Sequence, residues 1–150
     1  MSSFKIALHQ ACLNRIDQRI VLTQKAMDDI QESANQETKS SAGDKYETSR
    51  AMMQQEKDKH ADQLDQAQEL RRQLELLDPA INQAQIQTGS LVQTNEGQYY
   101  LSVSLGKMVL DNQTVFVLSA AAPLGQALLH KRTGDKIRFQ NRSIEILEIS

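Results

Sequence analysis

The sequence predicts an α+β protein built from two unlike pieces. Residues 1–84 read as an antiparallel α-helical coiled-coil hairpin with a polar tip near 36–47, and residues 85–150 as a small antiparallel sheet domain with one short helix. Three observations predict this. Apolar residues recur every seven positions in the first half, they alternate in the second, and five of the six glycines lie after Ile86 while Gln and charged residues crowd the region before it.

The first helix is carried by Leu13, Ile16, Ile20, Met27, Ile30 and Ala34, spaced by about three and four or by their sum, and spans about Leu8 to Asn35. Ser33 to Gly43 collects Ser, Asn, Thr and Gly, residues that compete with helix through local hydrogen bonds or added backbone freedom, so the chain should reverse there. A second stripe runs through Tyr46, Met53, His60, Ala67 and Leu74 at strict intervals of seven, with Leu64, Leu70 and Leu77 beside it, and ends before Pro79. Pairing the stripes about residue 40 sets Met27 level with Met53, Ile20 with His60 and Leu13 with Ala67. Met27, Met53, His9 and His60 read as seam residues of the hairpin, and Cys12 as a small packed side chain.

Beyond Gly89 the period changes. Tyr99, Leu101, Val103 and Leu105 alternate with Tyr100, Ser102 and Ser104; Val115 to Leu118 is a short β-branched and aromatic run; Ile137 and Phe139 alternate; Ile144, Ile146 and Ile149 close the chain. Turns are signalled at Asn95-Glu96-Gly97, Asp111-Asn112, Thr133-Gly134-Asp135 and Asn141-Arg142. Pro123 suits the first position of a helix whose apolar face is Leu124, Ala127, Leu128 and Leu129.

Charge and motif content narrow the function. Residues 1–87 carry 11 basic and 14 acidic groups and 88–150 carry 6 and 5, so the net charge of −2 offers no general attraction for a phosphate backbone. The apolar stretch near Val115 to Leu124 is far short of the ~18 residues that span a bilayer, and the expectation is a cytoplasmic protein with no membrane partner. A single cysteine forms no internal disulfide, and His9, His60 and His130 have no metal-ligand spacing. No Ser-His-Asp set, phosphate-binding glycine loop or zinc-protease motif is present, so the chain is not expected to be a free-standing enzyme, to hold a cofactor of its own or to bind a small molecule.

The run Pro123-Leu124-Gly125-Gln126-Ala127-Leu128-Leu129-His130-Lys131-Arg132-Thr133-Gly134-Asp135 closely resembles the Ser-Pro-Leu-Gly-Arg-Ala-Leu-Leu-Gly-Lys…Gly-Asp signature of the GreA/GreB transcript-cleavage and elongation factors. Those factors join an N-terminal antiparallel coiled coil to an FKBP-like C-terminal domain, so the resemblance extends over the organisation of the whole chain. A second match is Gly43-Asp44-Lys45-Tyr46-Glu47, which is similar to the family's Gly-Asp-x-x-Glu tip. The resemblance implies an accessory factor for RNA polymerase. Ala121, Ala122, Pro123 and Leu124 would contact the rim of the secondary channel. Asp44 and Glu47 would enter it to help hold a Mg²⁺ ion shared with the polymerase and promote cleavage of backtracked RNA, which the factor meets only within the elongation complex.

Mg²⁺ takes one or two protein carboxylates and completes its shell with water and phosphate oxygens, which suits an Asp and a Glu at i,i+3. The same spacing is also a helix cap, with Asp44 as N-cap and Glu47 at the third position, and needs no function. The sequence departs from the family at Thr48-Ser49-Arg50, where a base stands in place of a second acid, at Ala120-Ala121-Ala122, and at Gln126 in place of Arg. Two other classes therefore stay open: a polymerase-binding regulator that does not cleave, and a coiled-coil scaffold.

Overall fold

The computed structural model of the chain describes residues 2–39 and 43–150, and the side chains of 3–36 and 47–150. Helices α1 (Ser2–Lys39) and α2 (Gly43–Glu75) precede a six-stranded sheet of β1 (Leu91–Thr94), β2 (Gly97–Leu101), β3 (Gly106–Leu110), β4 (Gln113–Leu118), β5 (Lys136–Phe139) and β6 (Arg142–Ile149), with α3 (Pro123–Leu128) between β4 and β5. The fold is α+β. By packing, Arg15–Arg71 form one compact unit, and Met1–Asn14 with Arg72–Ser150 form another.

In the Arg15–Arg71 unit the buried and half-buried positions of α1 include Ile16, Ile20, Thr23, Met27, Ile30 and Ala34, and those of α2 include Met53, His60, Leu64 and Ala67. Thr23 fills the step that the apolar stripe skips between Ile20 and Met27, and it is buried. Its hydroxyl is what hides it from an apolar pattern. The helices are antiparallel: Arg71 Nε donates to Asp17 Oδ1 at 2.6 Å, and Lys57 Nζ donates to Gln31 Oε1. Both pairs have their midpoint at residue 44, and Ile30 and Met53, which line one depression, have theirs between 41 and 42, so the pairing on α2 lies further along than the midpoint of 40 that the heptads suggest.

Both helices are rich in glutamine, and part of their support comes from amide pairs one turn apart. Gln24 donates to Asp28, Gln31 to Asn35 and Gln54 to Asp58. The Gln31–Asn35 pair supports α1 as it enters the Ser33–Lys39 segment, which composition alone reads as the start of the reversal.

In the other unit the sheet order is β3-β4-β2-β1-β6-β5. It is mixed, which corrects the antiparallel expectation: β2 and β4 run parallel, Tyr99 opposite Phe116 and Tyr100 opposite Val117, while the other neighbours are antiparallel. After β2 the chain turns through Ser102–Leu105 and lays β3 one strand-width away. The Asp111-Asn112 turn then folds β4 back into the gap. Asp111 and Asn112 both have φ > 0, at 51° and 61°, the backbone of a two-residue turn whose twist matches its strands. The β5–β6 turn has the same form at Gln140 and Asn141, one residue earlier than the sequence signal.

The sheet buries both faces. On one, Val92, Tyr99, Leu101 and Ile146 pack with Ile86 and Leu128, joined by Leu118, Leu124 and Ile137. On the other, the buried Tyr100 meets the first turns of α1, where Lys5, Leu8, His9 and Cys12 are also buried. That contact explains why α1 begins at Ser2 and not near Leu8. Lys5 reaches out of the apolar surroundings to donate from Nζ to Ile81 O at 2.8 Å, and burial holds its pKa below the usual lysine value.

His9 Nδ1 lies 2.8 Å from the Tyr100 hydroxyl, and the two rings meet edge to face. Burial lowers the His9 pKa, Asp78 opposing and Lys5 assisting, and burial also raises that of Tyr100. A protonated Tyr100 donates to the neutral imidazole, and protonating His9 removes that acceptor. Because the folded-state pKa lies below the unfolded value of about 6.5, the His9 contribution is fully present above pH ~6.5 and is lost as pH falls below it. Urea midpoints measured from pH 7.5 to 5 should fall with acidification, and His9→Gln should flatten that slope; an unchanged slope would remove His9 from the account.

Candidate functional site

The sequence points to two places, and the structure treats them differently. At the start of α2, Glu47 and Thr48 are exposed, Ser49 is half-buried and Arg50 is exposed one turn after Glu47. Asp44 falls within α2, but its side chain lies outside the described residues. Glu47 thus offers a solvent-facing carboxylate within the first turns of a helix, where the helix dipole favours negative charge. Arg50 at i+3 shares its face and offsets part of that charge. An exposed carboxylate suits a hard cation completed by other ligands. Among the described residues no group of three His, Cys, Asp or Glu comes together to hold a metal, and no helix is long and apolar enough to cross a membrane.

The second place is the turn from β4 into α3. Ser119 organises it: its carbonyl oxygen accepts from Ala122 N at 3.1 Å and its Oγ from Ala121 N at 3.1 Å. Gln126, standing where the family signature has Arg, donates from Nε2 to Ala121 O at 3.2 Å, so it buttresses the turn from behind. Ala121 and Pro123 are exposed, and Ala122 and Leu124 are half-buried, Leu124 being packed against the sheet core. Pro123 occupies the first turn of α3, where the missing N–H costs nothing.

Much of the signature-like run builds the domain itself. Gly125 is buried, and a Cβ there would lie 2.3 Å from Ser119 O and 3.0 Å from Ala120 Cα. Only glycine lets α3 approach the turn that closely. Leu128 is a core residue. Gly134 has φ +92°, a conformation glycine adopts without strain, and Asp135 Oδ2 accepts from Arg132 N at 2.8 Å to close the following turn. His130 N donates to Ile86 O and Ile86 N to Lys131 O, tying the segment after α3 to the chain that enters the sheet. The exposed residues of this segment include Ala121 and Pro123 at the turn, Gln126 on α3, and His130 with residues 132–135 beyond it. The Gln126 contact is a structural detail that the sequence registers only as a departure, because the bond it makes is to a backbone carbonyl.

No protein-family model matches the chain, and no curated protein matches it.

Proposed function

We propose that this protein is a Gre-like accessory factor of RNA polymerase, acting in the cytoplasm and not an enzyme unaided. The sheet domain docks on the rim of the secondary channel through Ala121, Ala122, Pro123 and Leu124. The hairpin enters the channel with Asp44 and Glu47 at its end and modulates the polymerase active site, promoting cleavage of backtracked RNA with a Mg²⁺ ion held jointly with the polymerase. The observation that carries this reading is the β4–α3 turn: the run that resembles the family signature keeps its glycine and leucines for packing and leaves Ala121 and Pro123 exposed on a braced surface. Arg50, exposed at i+3 from Glu47, favours a second reading in which the factor binds the channel and regulates without cleaving.

The test is co-migration of the purified protein with core RNA polymerase at low salt, followed by RNA shortening and resumed elongation in a stalled, backtracked complex. Ala121→Glu, at an exposed position, should abolish co-migration while melting like wild type. Asp44→Asn and Glu47→Gln keep the side-chain acceptors a cap needs, so stability should move by no more than about 0.5 kcal/mol, while an amide is a far poorer Mg²⁺ ligand. The double variant should still bind and lose most of the effect on the complex. Wild-type activity in the double variant would make both carboxylates caps, binding without shortening selects the non-cleaving regulator, and no binding leaves the scaffold.

A further inference from the structure

The two sides of the helical hairpin differ in chemistry at the same level. One side holds an open depression of about 420 Å³ lined by Asp29, Ile30 and Ser33 of α1 and Ser49, Met52, Met53 and Glu56 of α2. Among the described residues lining it the only charges are the two carboxylates. The other side holds a smaller depression, about 180 Å³, that shares Ile30 and Met53 but carries Arg50 and Lys57 with the amides Gln31, Asn35 and Gln54. Met53 belongs to the seam on the strict seven-residue stripe. Its neighbour Met52 does not, and at 62% exposure it stands out on the acidic side. Leu22, 67% exposed, stands on the same row of α1 as Ala26, Asp29 and Ser33 and extends the apolar strip by two turns.

We infer that this flank binds a cationic amphipathic segment of a protein partner, its aliphatic side chains against Met52, Met53 and Ile30 and its Lys or Arg groups against Asp29 and Glu56. The depression has the volume of a small-molecule pocket, yet it is open along its length, which suits a row of side chains more than an enclosed ligand. Methionines adapt to irregular apolar partners, and flexible thioether floors with acidic rims select basic amphipathic helices. Charge complementarity chooses the occupant: an acidic or uncharged segment gains nothing from Asp29 and Glu56, and a second copy of this chain docking through the same flank would bring like charges against them. The inference does not depend on polymerase binding, and its test contains no polymerase.

A short fluorescein-labelled helical peptide of Leu and Lys is titrated with the full-length protein, and the anisotropy is compared with that of a counterpart carrying Glu for Lys. The Lys peptide should bind and the Glu peptide should not. Asp29→Asn with Glu56→Gln should weaken binding about tenfold at moderate salt, because both rim charges are lost. Met52→Ser should weaken it several-fold through lost apolar contact. All three positions are peripheral to the seam, so helical circular dichroism should be unchanged. Asp58→Asn with Asp62→Asn removes the same charge from outside the depression and should change affinity less than twofold. Failure of the Lys peptide to bind, equal binding of the Glu peptide, or equal loss in the Asp58 and Asp62 control would overturn the inference. So would self-association that Met52→Ser abolishes without peptide binding.

Discussion

Gly125→Ala is expected to destabilise the sheet-containing unit by about 2 kcal/mol, the reverse of what a glycine-to-alanine change in a helix ordinarily does. Within α3 the substitution gains up to about 1 kcal/mol of helix propensity. Against this stands a Cβ placed 2.3 Å from the Ser119 carbonyl oxygen and 3.0–3.1 Å from Ala120 backbone atoms. None of these is the end of a flexible side chain, so relief requires moving α3 off the turn or the turn off β4. Overpacking of this kind costs about 3 kcal/mol, which outweighs the propensity gain. At roughly 2–4 °C per kcal/mol for a chain of this size, the melting temperature should drop by about 4–8 °C. The same shift displaces Ala121 and Pro123, so polymerase co-migration should weaken as well if that turn is the docking surface. A melting temperature equal to or above wild type would show that α3 does not pack as described.

Ile16→Asp should unfold the helical pair outright. Ile16 is fully buried. Losing its burial costs about 1.5–3 kcal/mol, and a carboxylate left without a partner costs several more. Arg71, across the helical pair near this level, is already bonded to Asp17 at 2.6 Å. The sum is comparable to the whole stability of a typical domain, about 5–15 kcal/mol, whereas Ile16→Val should cost only about 1 kcal/mol. Helical circular dichroism reads the difference directly. Retained helicity and an unchanged melting temperature in the Asp variant would mean that the seam runs along another face.

The same reading at Ile20 would give a weaker effect, because Ile20 is only half-buried although it belongs to the same stripe. Periodicity identifies the face that turns inward, but depth of burial depends on what lies opposite, and that is set by register. Here register follows pairs such as Asp17 with Arg71 and Gln31 with Lys57, whose long side chains reach along the helix and can meet at more than one offset.

The sequence by itself determined that this protein has two long amphipathic helices followed by short strands and one Pro-initiated helix. It placed three of the four turns at their residues and the fourth one position late. Each of these follows from local chemistry: a period of 3.5 or 2, a proline at a helix start, an Asn or Asp where φ is positive. It also marked Asp44, Glu47 and the Ala121–Leu124 turn as places to look. Tertiary structure alone decided the rest. Whether the β3–β4 hairpin folds back into the gap beside β2 or away from it changes no local contact, so the parallel pairing has no signature in the residues. Lys5, polar in any pattern, becomes buried where Ile81 O, 76 residues away, accepts its hydrogen bond, and His9, which reads as a hairpin seam residue, is buried instead against Tyr100 Oη, 91 residues away. Gly125 reads as a weak point in a helix until Ser119 is brought against it. The seven-residue stripe already puts Met53 in the seam, but only the pairing of two helices sets Met52, outside that stripe, on one flank with Asp29. The physical reason is common to all four: the deciding energy is a contact between residues far apart in the chain, and such contacts exist only once the chain has folded.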